Sequence, residues 1–274
     1  MKAAAFFYQA PASLTAVFEA MAGRNDVAKL MGGSQSLGPM LNLRLVRPDA
    51  VFDVSGLAEL QRVTLDHGAV RVGAAVTHAQ IEDGVFEPLR GGMLQSVARS
   101  IAYRAVRNRG TLGGSLAHAD PAADWVVVCA AVGAQIVIAS AAGECTVAMD
   151  DFMLGAYTTA LADGELIAAV RVPAPTAQTR WAYQKLCRKT GEFSEATCAA
   201  WFDASTRFGR IVLGALDGAP RVLQGLTRAV ATRGPAAIDD AAIDAAVVLA
   251  VPDKDAIDRQ RYRVVIRRCL EQLR

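Results

Sequence analysis

The sequence predicts an α+β protein with a mixed N-terminal part and a smaller C-terminal part. Strand-like and helix-like patterns alternate over the first 55 residues, and β-hairpin patterns follow from about residue 60. Beyond residues 173–176, three strand-like runs precede three helical patterns, an order typical of an antiparallel sheet with helices on one face. The prolines of 173–176 restrict the backbone, so they predict a boundary between residues 1–175 and 176–274.

The first 57 residues are expected to form one subdomain. Ser13 is the predicted N-cap of an amphipathic helix that begins at Leu14. A strand over 28–31 leads into a glycine-rich loop, one or two helical turns follow over 39–44, and 51–54 is the next strand.

Residues 58–175 are expected to form a second subdomain with more β-structure. Its most hydrophobic stretch, 125–142, is divided by Gly133 into a helix-like half and a β-branched half. A buried helix followed by a core strand is therefore predicted there, not a membrane span. The other predicted elements are a hairpin over 60–65 and 69–75, a helix over 88–102, a helix over 122–131, a hairpin over 134–139 and 145–148, and a strand over 165–172.

The C-terminal part is predicted to contain a three-stranded antiparallel sheet covered by helices. Its strand-like runs come first and its helical patterns afterwards, which favours segregated layers. The predicted strands are 180–188, 196–203 and 210–217, and the predicted helices are 221–233, 239–250 and 253–273.

Composition excludes several classes of protein. The 29 basic and 27 acidic residues nearly balance, and no basic block occurs, so nucleic acid is not an expected partner. The five cysteines form no C-x-x-C pair, which argues against a zinc or iron–sulfur site built by this chain alone. Their spacing fits a reducing, cytoplasmic compartment. The apolar start, residues 1–7, is too short for a secretory signal peptide.

Two glycine-centred segments suggest a phosphorylated ligand. They are GGSQSLGP at 32–39 and RNRGTLGGS at 107–115. Glycine lets backbone N–H groups approach a ligand closely, and successive N–H groups form a concavity suited to a phosphate. Neither segment matches the Rossmann fingerprint or the Walker loop. Two such loops, each with serine or threonine hydroxyls, predict one large phosphorylated cofactor held between them.

These segments resemble the FAD loops of the medium subunits of molybdenum hydroxylases, the carbon monoxide dehydrogenase and xanthine dehydrogenase family. Residues 33–44 with Arg47-Pro48 are similar to the first loop, and 107–124 are similar to the second. The similarity continues over 181–191, so it spans nearly the whole chain. It implies a two-subdomain FAD-binding domain of the PCMH or vanillyl-alcohol-oxidase type over 1–175, with subdomains of about 1–57 and 58–175, and a C-terminal flavoprotein domain.

The resemblance implies FAD and assigns its contacts. No His or Cys tether signature occurs near either loop, so the FAD is expected to be bound non-covalently. The N–H groups of 33–36 would bind one phosphate with the Ser36 hydroxyl, and those of 112–115 would bind the other with the Thr111 hydroxyl. A carboxylate at Asp124 would accept from hydroxyls on the ribityl and adenine side, and a cation at Lys185 would stabilise the reduced anionic flavin. The full set implied for FAD is Gly32, Gly33, Ser34, Gln35, Ser36, Leu37, Arg109, Gly110, Thr111, Leu112, Gly113, Gly114, Ser115, His118, Asp124, Ile167, Lys185 and Phe193, the last over the isoalloxazine.

Some assignments leave alternatives open. Ser34 replaces a glycine of the family pattern, and it can offer its N–H only if the position does not require a strongly positive φ. Arg109 fits a solvated surface charge and a contact with FAD or a partner equally well. The position of His118 in the second loop favours a cofactor-proximal role, whereas His67 and His78 are predicted as turn and surface residues.

The resemblance also implies an electron-transfer role. Substrate would be hydroxylated at the molybdenum cofactor of a large subunit, and electrons would pass through 2Fe–2S clusters of a small subunit to FAD and then to an external acceptor. The complex is expected to be a dimer of heterotrimers, and residues 36–44 favour an N-heteroaromatic substrate. The alternatives are a stand-alone FAD oxidase or dehydrogenase, for which the C-terminal part looks small, and a nucleotide-binding scaffold without redox activity.

Overall fold

A small parallel sheet opens the computed structural model, which describes residues 2–273. Its strands are β1 (Phe7–Gln9), β2 (Ala28–Met31) and β3 (Ala50–Asp53), in the spatial order β1-β3-β2. Parallel neighbours need crossover connections, which helices α1 (Leu14–Met21) and α2 (Leu37–Asn42) provide. The first glycine segment lies between β2 and α2, at the carboxyl edge of this sheet.

The second sheet is five-stranded and antiparallel. Its strands are β4 (Val63–Asp66), β5 (Ala69–Gly73), β6 (Gln135–Ser140), β7 (Gly143–Ala148) and β10 (Leu166–Pro173), and a separate ribbon pairs β8 (Met153–Gly155) with β9 (Thr158–Thr159). The spatial order is β4-β5-β10-β6-β7, so β10 is the central strand. Residues 166–170 of this strand are all buried, as expected for a strand covered on both faces.

Six short helices accompany the second sheet. They are α3 (His78–Glu82), α4 (Met93–Ala98), α5 (Arg104–Arg107), α6 (Leu112–His118), α7 (Asp124–Ala131) and α8 (Met149–Phe152). All eight residues of α7 are buried. A helix that is apolar all round must lie inside the protein, and α7 supplies Trp125 and its neighbours to the largest hydrophobic core.

The C-terminal sheet is antiparallel and has helices on one face. Its strands are β11 (Thr179–Leu186), β12 (Ala196–Asp203), β13 (Phe208–Gly214) and β14 (Arg221–Val222), followed by α9 (Gln224–Arg233), α10 (Asp240–Ala250) and α11 (Ala256–Gln272). Side chains alternate across β12. Cys198 and Ala200 belong to the core shared with the C-terminal helices, whereas Ala199 and Trp201 belong to the core that contains α7.

The predicted α+β class is confirmed, with two local corrections. The sheet has a fourth strand, β14, because Val222 pairs with Val212 of β13, so the helix predicted over 221–233 begins only at Gln224. Of the helix predicted over 88–102, only α4 is α-helical. Gly91 (φ 70°) and Ala102 (φ 44°) adopt left-handed conformations that interrupt it. No helix within residues 2–273 is long and apolar enough to cross a membrane.

Candidate functional site

The two glycine segments meet in the structure although they are distant in sequence. We call residues 32–37 the first loop and residues 109–115 the second loop. A Cβ added at Gly33 would overlap the carbonyl group of Arg109 and lie 2.7 Å from the Cα of Gly110. A Cβ added at Gly32 would lie 3.0 Å from Thr111 Oγ1, which is also tighter than ordinary packing. The close approach of the two loops therefore requires glycine at position 33 and favours it at position 32.

The first loop presents free backbone donors. Within residues 2–273, the N–H groups of Gly33, Ser34, Gln35 and Ser36 have no protein acceptor. The loop is held by its other groups, since Gln35 Nε2 donates to Gly33 O at 3.0 Å, and Leu37 begins α2. A run of free N–H groups in a glycine loop is a donor set that fits a phosphate. The residues present therefore fit the pyrophosphate of FAD.

Ser34 has the backbone conformation expected of the glycine that it replaces. Its φ is 62°, in the left-handed region, which costs an L-residue about 1–2 kcal/mol relative to glycine. The side chain lies over Gly38, where an added Cβ would be 2.8 Å from Ser34 Oγ. The position does require a positive φ, and serine adopts it at the cost of local strain.

The second loop has fewer free donors than the sequence predicted. The N–H groups of Leu112 and Gly113 donate to carbonyls of the segment after β5 at 3.0 and 2.9 Å. Those of Gly114 and Ser115 donate to Thr111, at 3.1 and 3.0 Å. All four groups expected to bind the second phosphate are thus used within the protein. In the described part of the chain, the Thr111 N–H and the Ser115 hydroxyl remain without a protein partner.

His78 lies beneath the second loop, so its assignment as a surface residue is wrong. It is 5% exposed, its backbone N–H donates to Gly110 O at 2.9 Å, and Trp125 Nε1 donates to its Nδ1 at 3.0 Å. Burial and, to a smaller extent, the charge of Arg107 lower the pKa of His78 to about 4. The ring is therefore neutral at pH 7. The helix that begins at His78 has only five residues, so the sequence contains no apolar periodicity that could reveal this burial.

Arg107 fixes the chain just before the second loop. Its guanidinium donates to Glu82 at 2.7 Å and to the carbonyls of Ile101 and Ala102 at 3.0 and 2.9 Å. The Arg107 side chain is mostly buried, and its hydrogen bonds to Glu82 hold the pKa of that carboxyl below its usual value. Arg109, two residues further on, has an exposed side chain.

Asp124 and Lys185 come together in a buried ion pair. Lys185 Nζ is 3.1 Å from both carboxylate oxygens, and the two side chains are only 8% and 5% exposed. The Tyr183 hydroxyl donates to Asp124, and Ser100 Oγ lies 3.5 Å from Asp124 Oδ1. Burial and the neighbouring carboxylate raise the pKa of Tyr183 well above 10. We call these four residues the Asp124 cluster; they join the segment around the second loop to β11.

Sequence reasoning missed Tyr183 and Ser100. A usable signal existed for Tyr183, because residues 183 and 185 of a strand point to the same face. For Ser100 we find none, since its approach to Asp124 depends on the tertiary arrangement.

The remaining expected residues lie in three different places. His118 is half-buried at the end of α6, with its ring 5.2 Å from that of Tyr157. Ile167 is 5% exposed within β10, beside a shift in strand register, and its side chain belongs to the hydrophobic core. Phe193 is 65% exposed in the loop between β11 and β12. The side chain of Ile167 is therefore not at the loops.

Comparison with known proteins connects this geometry to a family. The family described as "FAD binding domain in molybdopterin dehydrogenase" matches residues 3–175. The chain is 34% identical over 265 residues to the carbon monoxide dehydrogenase medium chain of Hydrogenophaga pseudoflava, covering 95% of this chain and 92% of that one. It is 32% identical over 224 residues to caffeine dehydrogenase subunit beta of a Pseudomonas species, covering 80% and 76%.

A solved structure agrees over the whole length. Quinoline 2-oxidoreductase from Pseudomonas putida 86 superimposes with a TM-score of 0.86 and 32% identity, covering 100% of this chain and 98% of that one. The free donors of the first loop, the close contact between the two loops and the match over residues 3–175 all agree on one cofactor. The chain belongs to the FAD-binding subunits of molybdenum-dependent dehydrogenases and hydroxylases, which are oxidoreductases.

Proposed function

We propose that this chain is the flavoprotein electron-transfer subunit of a heterotrimeric molybdenum hydroxylase. Bound FAD would supply the redox chemistry, taking electrons from 2Fe–2S clusters of a small subunit and passing them to an external acceptor. The molybdenum cofactor would belong to a large subunit. The observation that supports this best is the contact between the two glycine loops, beside four consecutive N–H groups that have no protein acceptor.

The residues of the chain have distinct roles in this proposal. The N–H groups of 33–36 and the Ser36 hydroxyl would bind the pyrophosphate, with Thr111 and Ser115 at the opposite wall. Residues 1–175 would form the FAD-binding domain and 176–274 the domain that covers the flavin, with Phe193 beside the isoalloxazine. The ion pair of Asp124 and Lys185 would place a carboxylate and a cation near the ring and its ribityl chain. FAD would be held without a covalent bond.

The relatives support the assembly and a class of substrate. Their names describe a medium chain and a beta subunit, so these relatives belong to complexes of several chains. For this protein we propose a dimer of heterotrimers. Caffeine and quinoline, in the names of two of them, are N-heteroaromatic compounds. We therefore propose that the complex hydroxylates a small N-heteroaromatic molecule. A cytoplasmic location stays a prediction from cysteine usage.

The first experiment concerns the cofactor. The chain purified alone should show flavin absorbance, and acid precipitation should release FAD into the supernatant. Flavin retained in the protein pellet would contradict non-covalent binding. A folded chain that takes up no flavin would overturn the proposed function.

The second experiment concerns the partners. An affinity tag on this chain, expressed in its native host, should co-purify two further chains that contain molybdenum and iron. Reduction of the flavin by substrate should require all three chains. Turnover of a substrate by the lone chain would support a stand-alone oxidase or dehydrogenase instead.

A further inference from the structure

Two exposed aromatic side chains stand on adjoining loops beside the proposed flavin site. Tyr103 is 61% exposed and Phe193 is 65% exposed, although they are far apart in the sequence. Their loops are in contact at Gly191, where an added Cβ would lie 2.8 Å from the Ala102 carbonyl and 3.4 Å from the Tyr103 ring. Gly191 has a φ of 90°, so only glycine fits this approach comfortably.

The segment that bears Tyr103 is held rigidly. Ala102 adopts a left-handed conformation with a φ of 44°, and its carbonyl accepts from Arg107 at 2.9 Å. Arg107 is fixed in turn by Glu82 at 2.7 Å. Residues held in such left-handed conformations recur at sites that contact ligands.

The position of Tyr103 also relates it to the cofactor loops. Helix α5, which begins at the next residue and spans about 6 Å at 1.5 Å per residue, separates it from the second loop. On its other side, Ser100 of the Asp124 cluster lies 3.5 Å from the Asp124 carboxylate. Tyr103 therefore lies on the segment that connects Ser100 to the second loop, and this segment touches the loop that carries Phe193.

We propose that Tyr103 is a second aromatic contact of the FAD isoalloxazine and forms one wall of the flavin site together with Phe193. This inference rests on the proposed function. Flat aromatic ligands are stabilised by contact with aromatic side chains, and burial of Tyr103 against the flavin would remove its ring from water. No sequence motif marks this position; its role is inferred from the contact at Gly191 and the exposure of the ring.

The test compares FAD binding by variants of the full chain. Tyr103→Ser should weaken FAD binding about tenfold because the aromatic contact is lost. Serine is a favoured N-cap, so the substitution should preserve α5, which begins after residue 103. Tyr103→Phe keeps the ring and should bind within about twofold of the parent. The matched control is Ile257→Ser, which removes a side chain that is 71% exposed on α11 and should leave binding unchanged.

A second measurement needs no substitution. Tetranitromethane nitrates exposed tyrosine rings, and mass spectrometry locates the product. Bound FAD should protect Tyr103 from nitration. Equal nitration with and without FAD, or Tyr103→Ser binding FAD as tightly as the parent, would overturn the inference. Failure of the parent chain to bind FAD would instead overturn the proposed function, and this inference with it.

Discussion

At the scale of single residues, His78 is a buried base under the second loop. Its ring accepts a hydrogen bond from Trp125, and burial lowers its pKa to about 4. The unfolded chain binds a proton at this histidine near pH 6.5, before the folded chain does. The free energy of unfolding therefore keeps its full value, as far as His78 is concerned, above pH 6.5. It decreases as the pH falls from 6.5 toward 4, because the proton then binds the unfolded chain in preference.

This linkage gives a measurable prediction. His78 should reduce the free energy of unfolding by on the order of 3 kcal/mol between pH 7 and pH 4. His78→Asn retains an acceptor for Trp125 but has no titratable group, so its unfolding free energy should depend less on pH over this range. Urea unfolding at several pH values measures the difference. Equal pH dependence in both proteins would show that His78 titrates normally.

At the scale of elements, the contact between the two glycine loops determines the proposed pyrophosphate site. The first loop follows β2, and the second loop includes the first turn of α6. Neither loop could approach the other with a side chain at position 33. Gly33 has no positive φ, so its requirement is steric. Ser34, the next residue, has a positive φ instead. Two adjacent positions of the loop thus differ in what they require: position 33 must lack a side chain, and position 34 must adopt a left-handed conformation.

Gly33→Ala should separate the two loops because its Cβ overlaps the Arg109 carbonyl. We expect FAD affinity to fall at least tenfold and the unfolding free energy to fall by about 1–3 kcal/mol. The control is Gly56→Ala, in the same N-terminal part, where nothing lies within 4 Å of an added Cβ and φ is not positive. It should be neutral or slightly stabilising. Unchanged FAD binding in Gly33→Ala would contradict the assignment of the site to this contact.

At the scale of the whole molecule, α7 and the Asp124 cluster join the N-terminal and C-terminal parts of the chain. Helix α7 is buried between the second sheet and the C-terminal sheet, and Asp124 at its start pairs with Lys185 of β11. Further polar contacts support this junction, since Ser194 Oγ donates to Ala122 O at 3.1 Å and Ala215 N donates to Pro121 O at 3.1 Å. The segment that follows the second loop is therefore held by the C-terminal part.

Lys185→Met should cost about 3–5 kcal/mol of unfolding free energy because it leaves the Asp124 carboxylate buried without its cation. The double variant with Asp124→Asn removes the charge as well and should recover part of that loss. Urea unfolding of Lys185→Met, Asp124→Asn, the double variant and the parent gives the four free energies of a double-mutant cycle. A cost below about 1 kcal/mol for Lys185→Met would indicate an ion pair that behaves as if it were exposed.

Much of the fold follows from local sequence patterns. The strand over 28–31 and the strand over 196–203 have the predicted bounds, and Ser13 caps α1 as expected. The alternation of a strand and the capping of a helix depend on residues a few positions apart, so a short stretch of sequence is enough to predict them. The helix predicted over 88–102 was wrong because left-handed residues at 91 and 102 interrupt it, and the short strand β14 depends on a partner strand outside the window.

Local sequence patterns account for the α+β class, most strands, and the two glycine loops with their likeness to FAD loops. Three features of the site appear only in the folded chain: the left-handed conformation of Ser34, the burial of His78, and the pairing of Asp124 with Lys185. The use of the second loop's N–H groups within the protein also appears only there. These features depend on groups that lie far apart in the chain. Their geometry and desolvation are set by packing, which no local pattern of residues encodes.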